Sequence, residues 1–288
     1  MQRAGGSVKT PSGLGSTSSI DEVGKGSAMD EPVQRGSDGA SSDIQAVTRA
    51  SQILALFRSD RPQLTVAAAA TELGLNRTTT HRYFASLVSS GLLERGRDGT
   101  SFVPGGLLVQ LGTFALGRRA VVDLAPAHLA RLSRATGLSS ALGLWGSSGP
   151  VVTRVEEDSS NAVVVSVRVG HQLPADSAQS QVFLAFMADR SRAERRLADD
   201  PGLAERVEQV RRTGISSTHI TESDITAFGA PVFDEAGICA TVAVIGTART
   251  LPVHEPTPAV RVLADTAFAL STELGGERYY PAEFVGGA

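Results

Sequence analysis

The chain lacks the sequence features of secreted and membrane proteins. Its 288 residues include one cysteine, so it can form no intramolecular disulfide, which fits a reducing cytoplasm. No apolar run reaches the roughly 18 residues that a transmembrane helix needs. No apolar segment follows the first basic residue in the way a secretory signal requires. We therefore expect a cytoplasmic protein with no membrane partner.

Motifs for catalysis or metal binding are also missing. The histidines show no His-Glu-x-x-His spacing, the lone cysteine forms no Cys-x-x-Cys pair, and neither a P-loop nor a Gly-x-Ser-x-Gly elbow occurs. We therefore expect no catalytic residue, no metal and no cofactor. Because distant residues can converge in a fold, an enzyme of unrecognised type stays as an alternative. The histidines are His81, His128, His171, His219 and His254.

Lysine is scarce, and arginine is unevenly distributed. Between Ile44 and Arg119 the chain has nine arginines, no lysine and four acidic residues, a net charge of +5. The residues before Ile44 carry a net charge of −2, and those from Ala120 to the end carry −6. A basic module within an acidic protein is the pattern expected for contact with phosphate groups.

Within this module, the sequence has the pattern of a winged helix-turn-helix. Thr65 can cap a first helix over Val66–Leu73, Gly74 can end it, and Asn76 can cap a second helix. Two short apolar stretches around an Asp-Gly pair then predict a β-hairpin, the wing. Such a domain places its second helix in the DNA major groove, so residues 43–104 are predicted to bind DNA.

Helical periodicity separates the two faces of the second helix. Thr80, Phe84 and Leu87 share one face, while Thr78 and Arg82 share the opposite face. Arginine and histidine can donate hydrogen bonds to guanine or phosphate, and threonine offers a hydroxyl and a methyl group. The predicted DNA-contacting residues are Arg49, Thr65, Arg77, Thr78, Thr79, His81, Arg82, Arg95 and Arg97.

The same local pattern has a second interpretation. Any two capped helices around a glycine look alike, and some winged helices contact only proteins. The alternative is therefore a protein-contact module joined to a degenerate sensor domain. The net charge of +5 argues against it.

The motif residues resemble the IclR family of bacterial transcriptional regulators. The resemblance rests on Asp43–Val47, Leu64–Leu75, Arg77–Arg82 and Gly91–Glu94, and it continues to about Leu274. It implies an α+β protein with an N-terminal winged helix-turn-helix domain, a linker helix and a C-terminal GAF-like effector-binding domain. That last domain would hold an antiparallel sheet with a small organic effector on one face.

The predicted domain boundaries follow from composition and from the resemblance. Residues 1–42, rich in Gly and Ser, are predicted to be a disordered tail. Residues 105–121 are the predicted linker helix, 122–276 the effector-binding domain and 277–288 a C-terminal tail. A long helical stretch starts at Gly105, and Pro126 should kink or restart it. Its apolar face, Leu107 to Phe114, suits a dimer contact or packing on its own domain.

Alternating strands and helices characterise the rest of the chain, and short turns between strands indicate an antiparallel sheet. The predicted strands are Ser140–Trp145, Val151–Glu156, Asn161–Val169, Ile225–Phe233 and Ile238–Ile245. The predicted helices are Ser177–Met187, Leu203–Arg212 and Thr257–Leu274.

Two segments place the predicted effector site. Val169–Pro174 resembles the family's Gly-x-x-Leu-Pro loop, and Phe228–Phe233 resembles its Ala-Ala-Pro-Val strand, whereas Asp176–Val182 and Asp224–Ala227 depart from the family pattern. A buried apolar role for Cys239, a core role for Trp145 and helix capping by Ser177 are the simpler alternatives. The predicted effector-binding residues are Leu144, Trp145, His171, Ser177, Gln179, Ser180, Gln181, Asp224, Thr226, Phe228, Cys239 and Thr241.

Together these patterns predict a transcriptional regulator, either a repressor or an activator, controlled by a small organic effector. Its other partner would be double-stranded operator DNA. It would act as a homodimer or a dimer of dimers, with paired recognition helices in successive major grooves. The effector would change the spacing of the two DNA-binding domains through the linker helix.

Overall fold

The computed structural model describes residues 44–158, 164–198, 200–253, 257–280 and 284. The predicted disordered tail 1–42, the first part of the predicted strand 161–169 and His254 lie outside the described residues.

Residues 44–104 form the predicted winged helix-turn-helix. Thr65 Oγ1 accepts a hydrogen bond from Ala68 N at 3.2 Å, and Asn76 Oδ1 accepts one from Thr78 N at 2.8 Å. Gly74 ends the first helix of the pair at a φ of +63°, which favours glycine. The helices are α1 Gln45–Leu54, α2 Val66–Leu73 and α3 Arg77–Ser89, and the antiparallel strands, in the spatial order β1-β3-β2, are β1 Leu64–Thr65, β2 Leu93–Arg95 and β3 Ser101–Pro104.

A single apolar cluster holds this domain together. Phe84 of α3 meets Phe102 of β3 edge to face, with ring centroids 4.8 Å apart, and Ile53 and Leu93 are also fully buried. Burying a side chain of this size contributes roughly 1.5–3 kcal/mol. The inner face of α3 is therefore fixed against the domain, which leaves its outer face exposed.

Two helices follow the wing, and their boundary corrects a prediction. α4 spans Gly106–Gly117 and α5 spans Ala120–Thr136, so the break lies at Arg118 and Arg119. Pro126 lies inside α5 and does not restart the helix. The missing proline N–H costs one helical bond. Burial of one face of α5 offsets this loss through Val121, Val122, Ala125, Leu129 and Leu132.

The C-terminal domain is an antiparallel sheet with helices on both faces. The sheet has the order β5-β4-β8-β7-β6, with β4 Ser139–Trp145, β5 Pro150–Glu156, β6 Ser216–Ile220, β7 Ile225–Asp234 and β8 Gly237–Thr247. The helices are α6 Ala178–Phe186, α7 Arg190–Leu197, α8 Pro201–Thr213 and α9 Pro258–Glu273. The predicted α+β class is therefore confirmed.

Strand alternation gives the two faces of this sheet different contents. The first face packs under α5 and α9 and carries large apolar side chains such as Leu142, Val244 and Phe228. The second face lies under α6. There a Cβ on Gly229 would lie 3.2 Å from the carbonyl carbon of Ala178, so glycine lets the helix approach closely.

One expectation about this domain is wrong, two of its elements are not predicted by the sequence, and one residue beyond the predicted boundary packs against it. Residues 164–169 form no regular strand; Val165 and Val167 instead line a cavity on the α6 face. β6 and α7 were not predicted at all, since neither shows a clear apolar period. Tyr280, in the predicted C-terminal tail, is buried and donates a hydrogen bond to Pro231 O at 2.6 Å.

Candidate DNA-binding surface and effector cavity

The first half of α3 presents the predicted recognition residues to solvent. Arg77, Thr78, Thr79, His81 and Arg82 are all exposed. They are held there because the opposite face of α3 is buried in the domain core. A helix exposed in this way is suited to enter a major groove.

A groove lies between the start of α2, the start of α3 and the wing, with a volume of about 430 Å³. Four predicted DNA-contacting residues line it: Thr65, Arg77, His81 and Arg95. No acidic side chain is among its lining residues. Basic side chains beside the N-terminus of a helix attract anions such as phosphate.

The turn of the wing is fixed by its own aspartate. Asp98 Oδ1 accepts hydrogen bonds from Thr100 N at 2.9 Å and from Ser101 N and Ser101 Oγ, both at 2.8 Å. The bonds from Ser101, above all, hold the pKa of Asp98 below its usual range. Arg97 is exposed in this turn, and the Arg95 guanidinium lies 5.4 Å from the centre of the Phe102 ring.

The other predicted DNA-contacting residues lie outside the groove. Thr78, Thr79 and Arg82 occupy the exposed face of α3. Arg49 is half-buried on α1, where its Nη1 donates to Gln52 Oε1 at 2.9 Å. The candidates thus divide into the basic groove, the exposed face of α3, Arg97 in the turn of the wing and Arg49 on α1.

In the C-terminal domain, the principal cavity lies on the α6 face of the sheet and has a volume of about 580 Å³. Its floor consists of Ile225 and Ala227 of β7 and Ala243 and Ile245 of β8. An apolar floor with a few polar groups is typical of sites for small organic molecules. The polar lining residues are Ser166, His171, Asp176, Ser177, Gln179, Thr218, His219 and Glu222.

Three of the twelve predicted effector-binding residues line this cavity: His171, Ser177 and Gln179. Ser177 caps α6, because its Oγ accepts a hydrogen bond from Ser180 N at 3.3 Å. Gln179 is buried, and its Nε2 donates to Ala141 O and Thr241 O at 3.3 and 3.4 Å. Two of the three therefore also have structural roles, and His171 is exposed at the rim.

Three predicted residues lie on the face of the sheet opposite the cavity. Leu144 and Phe228 belong to the apolar core under α5 and α9. Thr226 is on the same face as Phe228, and its Oγ1 lies 3.2 Å from His219 Nδ1. Because neighbouring side chains in a strand point to opposite faces, the cavity receives Ile225 and Ala227 instead.

Three polar candidates lie close to the cavity without lining it. Ser180 Oγ donates to Pro174 O at 2.6 Å, and Gln181 Nε2 donates to Asp176 O at 2.7 Å. Thr241 lies beneath α6, because its hydroxyl and the side chain of Gln179 are both about 3 Å from where a Cβ on Gly143 would be. These side chains hold the walls of the cavity in place.

Three other candidates lie elsewhere. Trp145 packs on Phe183, with ring centroids 5.3 Å apart. Asp224 is an exposed turn residue with a φ of +54°. Cys239 donates to Val232 O at 3.4 Å, and burial raises the pKa of its thiol to about 12. The simpler apolar interpretation of Cys239 thus agrees with its position.

Sequence reasoning missed the apolar floor and walls of the cavity. Val165, Val167, Ala227, Ala243 and Ile245 look like ordinary core residues in the sequence. The one available signal was alternation along β8, where Ala243 and Ile245 have the opposite orientation to Val242 and Val244.

Two further observations concern metals and membranes. Among the described residues, no group of three or more His, Cys, Asp or Glu side chains could hold a metal ion. Within the same part of the chain, no helix is long and apolar enough to cross a bilayer.

Comparison with known proteins agrees with a DNA-binding domain joined to a sensor domain, the architecture of a transcriptional regulator. The IclR helix-turn-helix domain matches residues 46–97, and the C-terminal domain of the bacterial transcriptional regulator IclR matches residues 113–272. The chain belongs to the IclR family of bacterial transcriptional regulators. Its class is therefore a regulator and not an enzyme.

Two curated relatives are named as regulators. XynR, an HTH-type transcriptional regulator of Escherichia coli strain K12, is 29% identical over 148 residues, covering 51% of this chain and 58% of that protein. The glycerol operon regulatory protein of Streptomyces griseus is 26% identical over 252 residues, covering 82% of this chain and 99% of that protein.

Solved structures share the fold. An IclR transcriptional regulator from Silicibacter sp. TM1040 has a TM-score of 0.72 at 20% identity, covering 83% of this chain and 99% of that one. An IclR homologue from Microbacterium hydrocarbonoxydans, crystallised with 4-hydroxybenzoate, has a TM-score of 0.62 at 22% identity, covering 80% and 98%.

Proposed function

We propose that this regulator binds operator DNA through α3 and the basic groove, and that a small organic effector in the α6-face cavity controls the binding. The groove carries the proposal, because three basic side chains meet there at a helix N-terminus with no acidic neighbour among its lining residues. The effector half is supported by the cavity's apolar floor and by the ligand-bound relative.

The two groups of arginines have different roles in this proposal. Arg77 and Arg95 contact phosphate, which fixes the position of the domain on the duplex. Arg82, on the exposed face of α3, contacts base edges and therefore contributes to sequence discrimination.

Salt titrations on a promoter fragment, recovered by pull-down of genomic DNA, test these roles. Arg95→Ala should weaken binding to all sequences and reduce the salt slope by about 1. Arg82→Ala should lose about 1–3 kcal/mol of discrimination between the operator and unrelated DNA. Binding by the unmodified chain that does not weaken with salt would count against phosphate contact, and would favour the protein-contact alternative.

We also propose that the protein acts as a homodimer through α4. None of the side chains of this helix is fully buried, and its exposed large apolar residues are Val109, Leu111, Phe114 and Leu116, exposed by 65, 51, 62 and 38%. A second copy of α4 would remove this apolar surface from water at roughly 25 cal/mol per Å². It would also pair two DNA-binding domains, as a near-palindromic operator requires.

Sedimentation analysis tests the dimer. The double substitution Leu111→Glu and Phe114→Glu should shift the protein to monomer and weaken operator binding by about tenfold or more. Thr113→Glu is a second test, because Thr113 lies one turn from Val109 and from Leu116, away from Leu111 and Phe114. A dimer that survives this single substitution but not the double one would place the contact on the Leu111 and Phe114 side of α4. A dimer that survives the double substitution would place the interface elsewhere.

A further inference from the structure

A second cavity adjoins the principal one. It has a volume of about 500 Å³ and lies among the start of β4, the end of β8 and residues 164–165. Val165 and Ile245 line both cavities. The two spaces are thus neighbours on the α6 face of the sheet and meet at Val165 and Ile245.

Ser139, the first residue of β4, lines this second cavity and is only 3% exposed. Its Oγ has no hydrogen-bond partner among the described residues. Leaving a buried hydroxyl unpaired costs about 1–3 kcal/mol. A molecule in the cavity could supply the missing partner.

The register of the sheet relates Ser139 to the principal cavity. Ser139 pairs with Ile245, Ile245 with Ala227, and Ala227 with Thr218. Directly paired residues share a face of the sheet, so these four form one row across β4, β8, β7 and β6. With strands about 4.8 Å apart, the row is roughly 14 Å long. It is polar at both ends and apolar in the middle.

We infer that the effector is an elongated molecule with an apolar middle and a hydrogen-bonding group at each end. One end pairs with the Ser139 hydroxyl, and the middle lies over Ile245 and Ala227. The other end reaches Ser177 and His171 beside Thr218. This inference rests on the proposed function, in which the domain binds a small organic effector. A ligand confined to the principal cavity would leave Ser139 unpaired.

The test uses two probe molecules of different length, octanediol and butanediol, each with a hydroxyl at both chain ends. Calorimetric titration of the full chain should show that Ser139→Ala weakens octanediol binding by about tenfold, as loss of one hydrogen bond implies. Ser139→Thr, which keeps a hydroxyl, should retain the affinity. Butanediol, which fits within the principal cavity, should bind both variants and the unmodified chain equally.

A second variant tests the second cavity without touching Ser139 or the floor of the principal cavity. Val164 lines only the second cavity, so Val164→Phe should reduce that space and weaken the binding of octanediol but not of butanediol, while Val164→Leu should have little effect on either probe. The inference is overturned if the unmodified chain does not bind octanediol, if Ser139→Ala leaves octanediol binding unchanged, or if both probes weaken equally. Operator binding without any probe is measured separately, and its absence would count against the proposed function instead.

Discussion

The two faces of the five-stranded sheet carry side chains of very different size. Under α5 and α9 the strands present residues such as Leu142 and Val244, both fully buried. Under α6 the neighbouring positions along the strands include Gly143, Ala227 and Ala243, and part of this face remains open as the cavity. One face therefore stabilises the domain, while the other leaves space for a ligand.

The largest expected effect on stability comes from creating a cavity in the face under α5 and α9, here called the filled face. Leu142→Ala should lower the free energy of unfolding by about 2–5 kcal/mol, because the surrounding core cannot collapse fully into the space. Ile245→Ala on the cavity face is the comparison. It should lower the free energy of unfolding by less, because the Ile245 side chain already borders open space. Urea denaturation followed by circular dichroism measures both. Equal losses would mean that the two faces do not differ in this way.

A smaller effect is expected where the cavity face is already tight. A Cβ at Gly229 would lie 3.0 Å from Ser216 Oγ and 3.2 Å from the Ala178 carbonyl carbon, so Gly229→Ala should push α6 outward and cost about 1–3 kcal/mol. A Cβ at Gly112 in α4 would have no atom within 4 Å. Gly112→Ala should therefore stabilise the folded protein by about 0.5–1 kcal/mol, because alanine favours a helix more than glycine does. Thermal unfolding of both variants compares them, and a neutral Gly229→Ala would show that α6 is not held closely to the sheet.

The smallest effect is a pH dependence on the filled face. Tyr280 packs there against Phe268 of α9, and burial raises the pKa of its hydroxyl. A raised pKa in the folded state means that stability is present below the ordinary tyrosine value, about 10, and falls as pH rises above it. Tyr280→Phe should remove this part of the alkaline loss, as urea denaturation across that range would show. An identical alkaline loss in both proteins would exclude Tyr280 as its source.

The DNA-binding domain could be predicted almost completely, because its signals are local. Thr65, Gly74 and Asn76 define helix ends within a few residues, and the alternation of buried and exposed positions along α3 follows the helical period. The exposed arginines are then placed by the fold itself. Whether each contacts a base or a phosphate stays a prediction.

The effector domain was harder because its site depends on which way each strand faces. Polar side chains are the natural candidates for ligand contacts, so the sequence favours Thr226 as an effector-binding residue. In the structure its neighbours Ile225 and Ala227 line the cavity instead. Val165 and Val167 belong to a segment of strand-like composition, but they line the cavity and belong to no strand. A strand-like composition does not show whether a segment pairs with a neighbouring strand or which face each side chain takes. The sequence alone therefore could not place either Thr226 or the valine-rich segment.

The break between α4 and α5 has a mechanical consequence. Only Arg118 and Arg119 separate the two helices, so a handful of backbone dihedral angles joins the DNA-binding domain to the sheet. α4 has 12 residues and is about 18 Å long. A turn of roughly 10° at this break would displace the far end of α4 by about 3 Å. Small adjustments at one joint can therefore become ångström-scale movements where the protein meets DNA.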